Sequence, residues 1–432
     1  MNQDSLSCYA LSNGLRVVLD HRPLIPLTAV SVHYGVGFRS EPEGRGGFAH
    51  LFEHLMFQGS ANVKRSEHIR VVQSSGGTAN ASTRQDYTEY YQIAPAAALE
   101  RLLFLEADRM RGLRLTEEAL TTQTSVVKEE IKLNVHDRAY GGFPWTTLPA
   151  ALFRKYSNSH NGYGEFSELD RATPDDCAEF FDAYYAPSNA VLTVVGDIGV
   201  DLGAGRTGDL IARHFGGIPA RRTAAPQDLS EPPPAEVLRH ERTDRHAPFP
   251  ATALGYRLPD PAVARHDYLA CVVLAQLLAG DGPGGLMDRA RSTELGVTSA
   301  SAQAGFFGPF DARDPDTFVI TARHTAPDHE GFRRLAAEAL AQTAAGDTPL
   351  PTFDRTVNGL AARWRRTHDH VLARTRALGA FSLLHDDPAL VDTVPELLTA
   401  LEPAAVRTAA AVLSESPPAM LVLRTAGEPM PV

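Results

Sequence analysis

Alternation of apolar and polar positions over residues 15–19 (Leu-Arg-Val-Val-Leu) and 29–34 (Ala-Val-Ser-Val-His-Tyr) predicts two strands near the start of the chain. The period then changes. Phe48, Leu51, Phe52, Leu55 and Met56 fall at i, i+3, i+4, i+7 and i+8, the stripe of a helix buried on one side. A strand follows at 80–83, then two or more helices, then a strand at 191–195. Proline becomes frequent and apolar residues scarce over 221–236, the mark of a linker. Beyond it a second unit repeats the theme, with a strand at 251–258, an apolar helix at 268–278 stopped by a glycine-rich turn, and a strand at 317–322. The pattern divides the chain into a first domain at 1–222, a linker at 223–237 and a second domain at 238–432, each a sheet with helices.

Composition narrows this picture. A chain of 432 residues with 43% hydrophobic residues can build two or more proper cores. A net charge of -11 with no basic stripe argues against a nucleic-acid binder. Residues 1–5 carry neither a basic segment nor an apolar run, and no stretch approaches the roughly 18 apolar residues of a membrane span, so a cytoplasmic location without membrane contact is expected. Cys8, Cys177 and Cys271 are too widely spaced for a disulfide framework or a zinc ribbon and read as packed or surface thiols. The pairs His266/Asp267 and His368/His370 read as solvated or capping residues.

The helix at 48–56 carries the candidate chemistry on the face next to its apolar stripe. His50 and His54, four residues apart, lie about 40° apart around a helix axis, with Glu53 beside them. This is H-x-x-E-H, in which two neutral imidazoles hold zinc and the glutamate activates water at the metal. A third ligand is needed. Residues 121–134 form a second helical stretch with adjacent carboxylates, Glu129 and Glu130. Glu130 is the better candidate because Val126 and Val127, four and three residues earlier, put it on a buried face, whereas Glu129 points with Ser125 and Lys132 to water. A buried carboxylate needs a partner, and a divalent cation is a sufficient one.

With His50, Glu53, His54 and a glutamate 76 positions beyond His54, the chain resembles the pitrilysin-type inverzincins, which include insulysin and the mitochondrial processing peptidase. The resemblance extends to Gly76-Gly77-Thr78-Ala79-Asn80-Ala81-Ser82-Thr83 with Asp86-Tyr87-Thr88-Glu89-Tyr90-Tyr91, to Leu105-Glu106-Ala107-Asp108-Arg109-Met110, and to Tyr184-Tyr185-Ala186-Pro187-Ser188-Asn189-Ala190 with the strand that follows. It covers residues 10–200 with these landmarks in order. It implies an α+β fold: two similar α/β-sandwich domains, each a mostly antiparallel sheet covered by helices, forming half of a clamshell. It implies a zinc metallopeptidase in which His50, His54 and Glu130 hold Zn2+, Glu53 is the general base, and Asn80, Ala81 and Ser82 form the edge that pairs with an extended peptide.

The chain departs from the family at one place. Complete relatives carry an arginine and a tyrosine seven residues apart around a Leu-Gly pair, and here Ala290 and Val297 stand at those positions beside Leu295-Gly296, with Arg289 and Arg291 flanking the first. The expectation is a heterodimer with a homologous subunit that bears the Arg and Tyr. A stand-alone homodimeric peptidase and a non-catalytic core subunit of the same fold are the competing readings; the intact motif opposes the scaffold, and Val297 opposes the stand-alone enzyme.

Overall fold

The computed structural model describes residues 6–199 and 205–427, apart from 226, 233, 281 and 348. Residues 1–5, on which the absence of a leader was read, lie outside them. The chain divides into two compact units: 1–129 with 162–227 and 365–392, and 130–161 with 228–364 and 393–432.

The first unit is built on a six-stranded sheet of β1 (Leu6–Ala10), β2 (Arg16–His21), β3 (Leu27–Tyr34), β4 (Thr78–Thr83), β5 (Thr88–Pro95) and β6 (Ala190–Gly196), in the order β1-β2-β6-β3-β5-β4. β2 and β6 run parallel; every other neighbour is antiparallel. β3 and β6 are buried on both faces, which explains the near-continuous apolar run of β6, whereas β3 alternates and buries Thr28, Ser31 and His33. β4 is the outermost strand and reads Thr-Ala-Asn-Ala-Ser-Thr, polar and small as an edge requires. The second unit repeats the plan with β7 (Leu238–Asp244), β8 (Ala251–Arg257), β9 (Val297–Ala304), β10 (Thr317–His324) and β11 (Ala419–Thr425) in the order β7-β11-β8-β10-β9, with β7 and β11 parallel and the rest antiparallel. Two mixed, mostly antiparallel sheets covered by helices give the expected α+β class.

One passage between the two units falls near residue 227, inside the proline-rich stretch of the expected contiguous division. Two segments depart from it. Helix Val371–His385, expected in the second domain, packs on β3 and β6 of the first sheet, so closely that a Cβ on Gly379 would lie 2.3 Å from His33 Nδ1. Helix Leu148–Leu152, expected in the first domain, joins Ala253, Val319 and Leu421 in an apolar cluster of the second unit. A helical period reports that a helix has an apolar face and not which sheet will cover it; that choice is made by specific partners. Arg374 bridges Asp20 and Asp392, and Arg376 grips Glu89. The linker is likewise held: the Glu231 carboxylate accepts the amides of Arg154 and Lys155, and Lys155 Nζ reaches Asp228 at 2.6 Å.

Glu89 shows what these buried contacts contribute. Burial works against its charge, but His33 Nε2 at 3.1 Å and the Arg376 guanidinium outweigh it and hold the carboxyl at about 2, against an ordinary 4.5. A depressed carboxylate stabilises the fold above its unfolded pKa and loses that contribution as pH falls toward the folded value. The shift corresponds to about 3 kcal/mol at neutral pH, and to about half of that at pH 3. Urea unfolding of Glu89→Gln beside the unaltered protein should therefore show a gap that narrows on acidification; a gap unchanged between pH 7 and pH 3 would reject the assignment.

All three cysteines are free, Cys8 exposed and the others buried, where burial pushes the Cys177 and Cys271 thiols up to about 12. His266 is exposed beside Asp267, as expected of a solvated pair. Among the described residues no single helix is long and apolar enough to cross a membrane.

Candidate metal centre

The motif forms the helix Phe48–Leu55, and the whole apolar stripe is buried: Phe48, Leu51, Phe52, Leu55 and, just past the end, Met56. Phe52 stacks on Tyr185 at 5.4 Å and meets Phe180 at 4.8 Å, which fixes the rotation of the helix about its axis. With one face locked inward, the adjacent face must present His50, Glu53 and His54. The two imidazoles stand edge to face with centroids 5.1 Å apart. Gly47, which precedes the helix, has φ 85°, and a Cβ there would lie 2.4 Å from the carbonyl oxygen of Tyr163, so only glycine fits.

Glu130 comes from helix Glu117–Ile131; the passage from the first unit to the second falls between Glu129 and Glu130, within this continuous helix. His50, His54 and Glu130 each offer one ligand atom, and these atoms lie within 4.8 Å of one another. Glu129 is exposed. The ligand expectation thus corresponds to a real cluster, but its stated reason needs correcting. Val127 is fully buried while Val126 is 44% exposed, so Glu130 lies at the border of the buried face, half-buried, rather than within it.

The residues present fit zinc. Two imidazoles and a carboxylate are a common catalytic donor set, and the atoms they offer lie within 4.8 Å of one another, so His50, His54 and Glu130 would hold the ion. Among the described residues no other cluster of His, Cys, Asp and Glu has metal-ligand spacing.

Glu53 is half-buried, and its Oε2 accepts the Thr83 hydroxyl at 2.7 Å. Thr83 ends β4, so the edge strand and the glutamate are linked by one hydrogen bond. On that edge Asn80 is exposed, Ser82 half-buried and the Ala81 side chain buried, leaving Ala81 only its main chain to offer; Asn80 Oδ1 accepts the Ala81 amide at 2.9 Å. Sequence reading missed the charge buried behind this site. Arg109 is almost fully enclosed, stacked 4.2 Å over Tyr90 and 5.1 Å over Phe57, and paired with Glu106. Burial together with the Arg109 charge pushes His68 well below its ordinary range, and burial lifts the Tyr90 phenol well above its own. Charged residues at 106, 108 and 109 beside buried Leu102, Leu103 and Leu105 were the available signal, since buried charges persist only when paired. In the second unit Ala290 ends helix Leu286–Ala290 and is buried, Val297 opens edge strand β9, Arg289 Nε donates to the Gly284 carbonyl at 2.7 Å, and Arg291 is exposed.

The family model described as insulinase (peptidase family M16) matches residues 16–154, and one described as the peptidase M16 inactive domain matches 171–360. Zinc protease PqqE of Helicobacter pylori is 29% identical over 320 residues, 72% of this chain and 68% of that protein. Among solved structures, a protease from Helicobacter pylori superposes with a TM-score of 0.85 at 24% identity, covering 97% of this chain and 99% of that one. The periplasmic protease PqqL of Escherichia coli superposes with a TM-score of 0.75 at 19% identity, covering 98% of this chain but 48% of that one. These structural likenesses establish the fold. The two models match the two halves in order and the motif residues from His50 to Glu130 fall inside the first, so the chain belongs to the insulinase (M16) family of peptidases as a short two-domain member.

Proposed function

We propose that the chain is a zinc metalloendopeptidase for extended, unstructured peptides, working with a second, homologous chain. The observation that carries this reading is the convergence of His50, His54 and Glu130, with Glu53 held by Thr83 at the end of an outermost strand. Zinc, when bound by these three residues, supplies Lewis acidity toward water and a scissile carbonyl. Glu53 takes the proton of the attacking water and later passes it to the leaving amine, as a base that becomes an acid. The Thr83 hydroxyl keeps one carboxylate oxygen in place, so the other is the proton acceptor. β4 aligns the peptide by main-chain pairing along Asn80, Ala81 and Ser82, which requires a substrate without secondary structure of its own. Relatives named zinc proteases support the metal and the reaction class.

The partner follows from Ala290 and Val297, which supply neither the cation nor the hydroxyl that would assist the carbonyl. A homologue bearing an Arg and a Tyr there would complete the site across an interface above about 2,000 Å², as obligate pairs have. That this chain matches about half of PqqL accords with a two-chain assembly. The test is cleavage of an unstructured peptide by the zinc-loaded chain alone and after adding such a homologue. Weak or no turnover alone and strong turnover with the homologue is expected. Full turnover by the lone chain would replace this reading with self-association, Arg289 and Arg291 being the first to substitute; zinc binding without turnover in any combination would favour the scaffold.

A further inference from the structure

We infer that Tyr163 is a positioning residue for the metal site, acting with Glu41 as a clamp that sets the imidazole of His50; the inference rests on the zinc reading proposed above. His50 is the third residue of its helix, in the first turn, where backbone amides have no intrahelical acceptor. Gly47 has no side chain with which to cap them. The missing acceptor comes from six residues back: the Glu41 carboxylate, itself buried, takes the Gly47 amide at 2.9 Å on one oxygen and the Ala49 amide at 2.7 Å on the other. An anion at this end also suits the helix dipole.

A second segment closes on the same turn from outside. Gly164, at φ 61°, approaches so closely that a Cβ would lie 2.1 Å from the Gly46 carbonyl carbon, and a Cβ on Gly162 would lie 2.7 Å from Phe38, close in sequence to Glu41. Between these glycines Tyr163 places its carbonyl against Gly47 and its ring beside His50, centroids 5.4 Å apart and tilted by 58°. His54 is on another side at 5.1 Å. His50 is thus confined between two rings, 8% exposed, while Tyr163 itself stays half-exposed. The backbone contacts explain why the loop is seated there; they do not require an aromatic ring at 163. The ring is what restricts the imidazole's rotamers before metal arrives; hydrogen-bonded outer partners of metal ligands are worth about 10–100-fold in metal affinity, and a packing contact belongs at the low end of that range.

The experiment measures zinc affinity on the full chain by competition with a chromophoric chelator, and the visible spectrum of the cobalt(II)-loaded protein as a readout of ligand geometry. Tyr163→Ala should weaken zinc about tenfold and alter the cobalt bands, Tyr163→Phe should stay within about twofold of the unaltered protein, and the melting temperature of the zinc-free protein should not change. If Tyr163→Ala lowers that zinc-free melting temperature, Tyr163→Leu, which keeps bulk without a ring, takes its place in the comparison. Unaltered zinc affinity and cobalt spectrum in the folded variant would overturn the clamp and leave the metal reading intact. Absence of zinc binding by the unaltered chain, matching a His50→Ala control, would overturn both.

Discussion

Glu53→Gln is expected to lower peptide turnover by at least about a hundredfold while zinc content stays at about one per chain. Removal of a general base costs about 10²–10⁴-fold, because proton transfer from water must then find another acceptor. The substitution is nearly isosteric and keeps an oxygen for the Thr83 hydroxyl, so the helix and its two histidines should be undisturbed. Thr83→Val, which removes the donor and keeps the shape, should fall between the two, with the loss in kcat rather than in KM. Turnover is measured on an unstructured peptide with the completing homologue present, and zinc by elemental analysis of the same sample. Retained activity in Glu53→Gln would reject the mechanism, and loss of zinc would move Glu53 into the ligand set.

Glu130→Gln should weaken zinc by more than about a hundredfold, since even outer partners of metal ligands cost 10–100-fold when removed, and a direct anionic donor counts for more. Glu129→Gln should leave zinc binding unchanged. The two residues are adjacent and equally acidic, so the comparison cancels any general effect of charge on cation binding. Their difference lies in placement: Glu130 brings an oxygen within 4.8 Å of donor atoms of both histidines, while Glu129 is exposed. Equal losses from the two variants would overturn the ligand choice.

Much of this protein was legible before folding. The strands at 29–34, 80–83, 191–195 and 317–322 lie within β3, β4, β6 and β10, those at 15–19 and 251–258 match β2 and β8 except for Leu15 and Leu258, and the helix at 268–278 lies within Arg265–Ala279. Strand and helix periods are local properties, and sharp in segments buried on a face. The motif was legible for the same reason, since a helical repeat alone places His50, Glu53 and His54 on one side. The pattern did not reveal β1, β5, β7, β9 and β11: β1, β7 and β9 are edge strands with weak alternation, β5 was read only through the family resemblance, and the apolar run of β11, buried between β7 and β8, was overlooked.

The chain alone thus determined the class of fold and the motif helix, because each follows from residue types at helical or strand spacing; the choice of Glu130 over Glu129 is a proposal that the paired substitutions test. Only the tertiary structure decided that the segments 130–161 and 365–392 change units, that Val126 is exposed, and that Glu41, Thr83 and Tyr163 converge on Gly47, Glu53 and His50 from 6, 30 and 113 positions away. These are long-range choices. They depend on which buried charge finds its partner, as Arg376 finds Glu89 across 287 positions, and on where glycines let two backbones touch. Neither leaves a period in the sequence.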